Sequence, residues 1–182
     1  MLQIEVKGGE LFDEEKQEFY YVKPTVLELE HSLISISKWE AKWKKAFLSS
    51  RDKTTEQTAD YIRCMTINRN VDEHVYDFLT AEDYQKINDY INDPMSAVYF
   101  RNDEPGRAGV SRDSITNEVI YHWMITFGIP DRFEKWHLNH LLSLIRVRER
   151  LTSPKKHMSK KQLAESNRRL NEERKRKYGT RG

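Results

Sequence analysis

The last thirty residues of the chain have too few apolar side chains to form a core of their own. From Ser153 to Gly182 the sequence has eleven Lys and Arg against three Glu, a net charge of +8, and only five apolar residues. So little apolar surface cannot offset the entropy that a segment loses when it orders alone. The core must therefore form within residues 1–152, where twenty basic and twenty-six acidic residues give a net charge of −6.

The change of charge coincides with Pro154, which marks a segment boundary. We therefore predict one globular domain at residues 1–152 and a basic tail at residues 153–182. Cys64 is the single cysteine, which excludes an intramolecular disulfide and a multi-cysteine zinc site. The sequence has neither a secretory signal pattern nor eighteen consecutive apolar residues. It predicts a protein of a reducing cytoplasm that does not cross a membrane.

The hydrophobic pattern changes from a strand period to a helix period near residue 37. Leu2, Ile4 and Val6 alternate with polar residues, and the following segment is rich in aromatic and β-branched side chains. Beyond it, apolar residues recur at helical spacing. The predicted fold is mainly α with a small N-terminal β element (α+β). The β element spans residues 2–34, a helical body spans residues 37–151, and the basic tail forms a charged C-terminal helix.

Two tryptophans, Trp39 and Trp43, lie four residues apart beside several lysines in the segment HSLISISKWEAKW. Ser37 and Glu40 have the spacing of a capping box, which predicts a helix that begins at Ser37. On such a helix the two rings lie one above the other. A buried core stripe is therefore favoured over a platform on which nucleic-acid bases stack, because a platform needs exposed rings.

Further helix boundaries can be read from local signals. Thr54–Gln57 has capping-box spacing, Thr80–Asp83 opens a further helix, and Asp93 and Pro94 end that helix. Gly128 has the place of a C-terminal cap, and Pro130 is expected to open one long helix that continues to about residue 151.

One group of side chains has the residue types of a metal site. Glu134 and His137 have Glu-x-x-His spacing, His140 continues that helix face, and Glu118 and His122 come from the preceding helix. A carboxylate-bridged di-metal bundle needs two Glu-x-x-His pairs and two further inward glutamates, and here the second pair is spaced by four. We therefore predict surface histidines, no metal, no cofactor and no catalytic residues, so the protein is not an enzyme.

The basic tail is the candidate partner-binding segment. Clustered cations bind either an acidic protein surface or nucleic-acid phosphates. Its one aromatic residue, Tyr178, cannot provide a stacking series, which makes nucleic acid the weaker alternative. The candidate partner-binding residues are Lys155, Lys156, Lys160, Lys161, Arg168, Arg169, Arg174, Lys175 and Arg176.

Five segments of the chain carry a family resemblance: HSLISISKWEAKW, DYIRCMT, DPMSA, KWHLNHLLSLIRVRERL and MSKKQLAESNRRLNEERKRKYGTRG. Together they resemble the tail assembly chaperones of long-tailed bacteriophages, and the likeness runs from about residue 25 to the end. The resemblance implies a protein that coats the apolar tape measure protein and recruits tail tube protein in the host cytoplasm. It implies no catalytic residues, and a frameshifted longer product is common in this family. A structural virion protein of the phage tail or neck, a nucleic-acid-binding module and self-association are the alternatives.

Overall fold

The computed structural model describes residues 1–13, 17–50, 52–98, 115–152 and 160–179. The chain divides into two compact units, Met1–Glu149 and Arg150–Gly182. The strands are β1 (Leu2–Val6), β2 (Gly9–Asp13), β3 (Glu18–Val22) and β4 (Thr25–Leu29). The α-helices are α1 (Leu33–Trp43), α2 (Thr55–Met65), α3 (Ala81–Asn92), α4 (Asn117–Thr126), α5 (Leu138–Thr152) and α6 (Lys160–Tyr178). Glu73–Phe78 and Asp131–Lys135 form 3-10 helices.

These elements confirm the predicted fold class, mainly α with a small N-terminal β element. In the part of the chain that the structure describes, no helix is both long enough and apolar enough to cross a membrane.

The β element consists of two antiparallel pairs. β1 pairs with β4, and β2 pairs with β3 as a hairpin. Alternate residues of β1 and β4 point into the core, so that Ile4, Val6, Leu27 and Leu29 are buried. β2 and β3 lie between β1 and β4 in the sequence, so both ends of the hairpin are connected to the β1–β4 pair.

The first helix begins earlier than the capping-box pattern predicts. α1 starts at Leu33, and the Ser32 hydroxyl accepts a hydrogen bond from the Ser35 amide at 3.3 Å. Ser37 lies inside the helix and donates its hydroxyl to the Leu33 carbonyl at 2.9 Å. The predicted start at Ser37 and the predicted end of the β element at residue 34 are both wrong. Leu33 and Ile36 pack into the core at helical spacing, which overrides the short strand-like alternation.

The tryptophans lie on one side of α1, and the prediction of a core stripe is confirmed. Trp39 is fully buried and donates its indole N–H to the Gln57 carbonyl at 2.8 Å. Trp43 is half-buried and donates to the Asp60 carboxylate at 2.9 Å. Neither ring stands free in solvent, so they do not form a stacking platform.

The capping box predicted at Thr54 is present, and Thr54 caps α2 with Gln57. α3 begins after Thr80 as predicted, and Thr80 forms a second capping box with Asp83. α3 ends at Asn92, two residues before Pro94, as predicted. These boundaries depend on side chains three residues apart, and such contacts are visible in the sequence.

The long helix predicted from Pro130 is interrupted. A 3-10 helix ends at Lys135, Trp136 is extended, and α5 begins only at Leu138. The Leu138 amide donates to the His31 carbonyl at 2.7 Å, and a short β-bridge joins His137 to Ser32. Pairing with a distant segment of the chain thus replaces two residues of helix. Gly128 follows α4 with a φ of 61°, a conformation that glycine adopts without strain, as its predicted capping role requires.

A buried carboxylate joins α1 to α4. Glu40 accepts hydrogen bonds from the Phe47 amide at 2.7 Å and from the Asn117 amide and side-chain nitrogen, each at 2.8 Å. Thr116, the residue before α4, makes no side-chain cap of its own among the described contacts. Glu40 therefore caps α4 from another helix, and its negative charge lies at the positive end of the α4 dipole.

Candidate protein-binding surface

The Glu-x-x-His residues do not share a helix face. Glu134 belongs to the 3-10 helix and accepts a hydrogen bond from the Tyr121 hydroxyl at 2.9 Å. His137 is buried rather than on the surface, which corrects the expectation of rim histidines. Within the described residues, no group of three or more His, Cys, Asp or Glu is placed to hold a metal ion.

The other histidines of that group lie on the surface, as predicted. His140 is exposed, and its ring stacks on Trp136 with centroids 4.6 Å apart. His122 is exposed on α4, where the Thr126 hydroxyl lies 3.5 Å from its Nε2 atom. Glu118 is also exposed, in the first turn of α4.

Two buried histidines, His31 and His137, lie next to each other in the core. The rings of His31 and His137 lie 5.1 Å apart, and His31 Nδ1 is 2.5 Å from the Tyr61 hydroxyl. His137 Nε2 is 3.0 Å from the Tyr90 carbonyl oxygen. Burial, followed by the proximity of His137, lowers the pKa of His31 to about 3, and burial also lowers the pKa of His137. Both rings are therefore neutral near pH 7, and they tie together β4, α2, α3 and α5.

Cys64 is half-buried on α2 and is not activated as a nucleophile. Burial raises the pKa of its thiol to about 11. The reactive form of cysteine is the thiolate, which is scarce at neutral pH when the pKa is this high. This residue therefore contributes to packing and not to covalent chemistry.

The candidate residues of the basic tail fall into three groups. Arg168, Arg169, Arg174, Lys175 and Arg176 are exposed on α6. Lys160 and Lys161 belong to α6, but their side chains lie outside the described set. Lys155 and Lys156 lie outside the described residues altogether.

The cations of α6 lie on all sides of its axis. Successive residues of an α-helix are about 100° apart, so Arg174 lies between Leu170 and Tyr178, two exposed apolar side chains. On the other side Glu172 lies among the cations and accepts a hydrogen bond from the Arg168 Nε–H at 3.2 Å. α6 is therefore an exposed helix of mixed charge with no separate basic side.

A second surface, which the sequence patterns did not identify, lies on the hairpin. Phe12, Phe19 and Tyr21 are 47%, 76% and 58% exposed, and together we call them the aromatic face. Phe12 pairs with Phe19 across the two strands, and their ring centroids are 5.1 Å apart. Glu10 pairs with Tyr21, and it is an exposed carboxylate on the same side of the hairpin. Three rings and one acidic group thus share one solvent-facing surface.

The opposite side of the hairpin explains why the rings point outward. Val22 is fully buried, and Leu11 packs against the core. Gly9 lies so close to Phe78 that an added Cβ atom would be 2.5 Å from the ring. This close contact fixes which side of the hairpin faces the core. Because side chains alternate along a strand, the aromatic face is fixed toward solvent.

The hairpin is also attached along β3. The Tyr20 hydroxyl donates to the Asp72 carboxylate, and its ring lies 5.6 Å from that of His74. A cleft of about 360 Å³ separates β3 from residues 68–72, and both Tyr20 and Tyr21 line it. The attachment orients β3, and the cleft leaves open space beside one ring of the aromatic face.

The sequence did contain a signal for this surface. Phe19, Tyr20 and Tyr21 are consecutive in one short strand. Because successive residues of a strand point to opposite sides, three consecutive rings cannot all face one core. Counting aromatic residues only as core material missed this consequence.

Comparison of the chain with protein-family models, with curated proteins and with solved structures found no match. The function is therefore inferred from the residues, their geometry and the family resemblance described above.

Proposed function

We propose that the protein is a phage tail assembly chaperone that binds the tape measure protein and assists assembly of the tail tube. The observation that carries the proposal is the aromatic face, an exposed apolar surface on an ordered hairpin. The family resemblance supplies the identity of the partners, the tape measure protein and the tail tube protein. In this proposal the protein acts in the host cytoplasm while the phage tail is built.

The size of the aromatic face supports binding to a client. An aromatic side chain covers 150–250 Å² when it is fully buried, so the exposed parts of Phe12, Phe19 and Tyr21 amount to roughly 300–400 Å². Exposed apolar patches of this size are often functional in proteins that fold as monomers. Covering the rings with an apolar client would remove this surface from water. The driving force is the hydrophobic effect, and it needs no catalytic group.

The proposal is tested by co-expression with the tape measure protein encoded in the same phage genome. We expect the client to co-purify with the wild-type protein and to stay soluble. In a Phe19→Ser/Tyr21→Ser variant we expect affinity to fall by about tenfold or more, since buried aromatic residues are common hot spots of binding.

A matched control is Ile125→Ser/Leu151→Ser, which removes two exposed apolar side chains from α4 and α5. This control is expected to bind the client as wild type does. Equal losses in both double variants would show that the aromatic face has no special role, and full binding by the Phe19→Ser/Tyr21→Ser variant would contradict the proposed surface.

The basic tail contributes electrostatic attraction to client binding in this proposal. The opposite net charges of residues 1–152 and 153–182 favour contact with an acidic protein surface. Attraction between exposed charges is screened beyond about 8 Å at physiological ionic strength. The contribution of the basic tail to client binding should therefore weaken as salt is added.

Deleting residues 155–182 should leave the globular domain folded and weaken assembly. Few apolar side chains leave with the segment, so we expect the thermal unfolding midpoint to stay within a few degrees. Circular dichroism and client pull-down at low and high salt measure the two effects. An unfolded truncation would contradict the division into domain and tail.

Nucleic acid binding is the second candidate function, and the observation that favours it is the exposure of Arg168, Arg169 and the run Arg174–Arg176 on α6. In this case the intact protein would retard unrelated DNA in a gel at low salt, and the truncated protein would not. Retention of client binding by the same truncated protein would then assign the basic tail to nucleic acid.

A further inference from the structure

The aromatic face lies within a strongly acidic part of the sequence. Residues 9–22 contain five acidic residues and one lysine, a net charge of −4. Glu10 lies on the aromatic face itself, directly across the strand pair from Tyr21. Glu18, the first residue of β3, is exposed at the turn end of the hairpin, on the side opposite the rings. An apolar client that also carries positive charge is therefore favoured over an acidic one.

The area of the aromatic face argues against a stable dimer of this chain. A standard interface buries about 800 Å² on each partner, and the three rings supply less than half of this. A short segment that covers only the rings and their rim matches the available surface better than a second copy of the whole domain.

The geometry also indicates the conformation of that segment. A peptide that lies over the rings contacts side chains, and the strands below cannot reach its backbone N–H and C=O groups. A helix satisfies these groups internally, whereas an isolated strand does not.

The spacing of the rings is consistent with a helix. Phe19 and Tyr21 are two residues apart on β3, which corresponds to about 6.6 Å along a strand. Helical residues i and i+4 are about 6 Å apart along the axis. Apolar side chains at these positions can therefore contact both rings at once, which is the usual way in which an amphipathic helix is recognised.

From these observations we infer that the aromatic face binds a basic amphipathic helix of the client, with apolar residues at i, i+4 and i+7 and Lys or Arg beside them. The inference rests on the proposed function and specifies the chemistry of its partner. The rings contact the apolar side of the helix, and Glu10, on the same side of the hairpin, interacts with its cations.

Three synthetic helical peptides test the inference against the full chain by fluorescence anisotropy. The first has leucines at i, i+4 and i+7 flanked by lysines, the second replaces the lysines with glutamates, and the third has the residues of the first in scrambled order. We expect the first to bind at least about tenfold more tightly than either of the others. Equal binding of the lysine and glutamate peptides would overturn the charge requirement, and equal binding of the scrambled peptide would overturn the helical register.

Variants of the protein test whether the lysine peptide binds at the aromatic face. Glu10→Gln should weaken the lysine peptide about threefold at low salt and reduce the dependence of its affinity on salt. The matched control, Glu18→Gln, removes the same charge from an exposed position on the opposite side of the hairpin and should leave binding nearly unchanged. Equal losses in the two variants would show an effect of net charge alone and would contradict the inference.

The failure of the inference can be distinguished from the failure of the proposed function. If the tape measure protein binds through Phe19 and Tyr21 while the three peptides bind equally, the function stands and the helix chemistry is wrong. If neither the tape measure protein nor any peptide depends on these rings, the proposed function fails as well. If the rings instead mediate self-association, measured by sedimentation, and the lysine peptide does not compete, the occupant is a second copy and the inference is overturned.

Discussion

Replacing Glu40 with alanine is expected to lower the free energy of unfolding by about 3–5 kcal/mol. Its carboxylate accepts three hydrogen bonds, and two of them hold the first residue of α4. A hydrogen bond to a charged group contributes about 1.5–3 kcal/mol, and a buried donor without a partner costs about 1–3 kcal/mol. Denaturant unfolding measures the loss, and hydrogen exchange should show that α4 opens most easily.

Two further variants test whether the loss of stability arises from the hydrogen bonds and charge of Glu40. Glu40→Gln keeps one carbonyl oxygen as an acceptor but loses the charge, so an intermediate loss of about 2 kcal/mol is expected. Glu149→Ala removes an exposed glutamate from α5 and should change stability by less than about 0.5 kcal/mol. A Glu40→Ala protein within about 1 kcal/mol of wild type would show that Glu40 does not hold α4 in place.

Acid is expected to destabilise the protein before its carboxylates titrate. A histidine in an unfolded chain binds a proton as the pH falls through about 6.5. Folded His31 stays neutral down to its pKa of about 3, because burial disfavours the charged ring. Its contribution to stability is therefore complete above about pH 6.5 and is lost as the pH falls toward 3. Between pH 7 and pH 4.5 this residue accounts for about 2–3 kcal/mol.

The direction of the pKa shifts follows from the surroundings of the ring. Burial removes the His31 ring from water and so disfavours its charged form, and the nearby ring of His137, 5.1 Å away, lowers the pKa of His31 further. The second imidazole of the pair, His137, also has a lowered pKa because of burial, so it adds a loss of the same sign.

Urea unfolding at several pH values tests this account. His31→Gln can donate a hydrogen bond to Tyr61 or accept one from it but cannot titrate, so its stability should fall about 2 kcal/mol less than that of wild type between pH 7 and pH 4.5. His122→Gln, at an exposed position, is the control and should follow the wild-type profile. Identical pH profiles for His31→Gln and wild type would contradict the role assigned to the buried ring.

Local signals in the sequence predicted several elements well. The capping box at Thr54, the helix start at Thr80 and the stop before Pro94 involve neighbours along the chain, and the structure contains each of them. The fold class followed from the change in hydrophobic period, because that pattern reports which side of each element is buried.

Contacts between distant residues could not be predicted in this way. The break before α5 depends on the His31 carbonyl, more than one hundred positions away in the sequence, which takes the amide of Leu138. Glu40 appeared to be part of a local capping box, yet its hydrogen bonds go to Phe47 and Asn117. In both cases a tertiary hydrogen bond took the place of the local one.

Locating the aromatic face requires both the alternation of side chains along β3 and the packing of the hairpin on the core. Alternation along β3 implies that Phe19 and Tyr21 share one side, but only the packing of Val22 and Gly9 shows that this side faces solvent. The cations of the basic tail could be identified from composition alone.

Hydroxyl-radical footprinting of the complex with the tape measure protein tests the central claim most directly. In the free protein we expect Phe12, Phe19 and Tyr21 to be oxidised and the fully buried Trp39 to be protected. In the complex the three exposed rings should become protected, because the client covers them. If Phe19 and Tyr21 are oxidised equally in the free and bound protein while the client remains attached, the client binds elsewhere and the aromatic face is not its site.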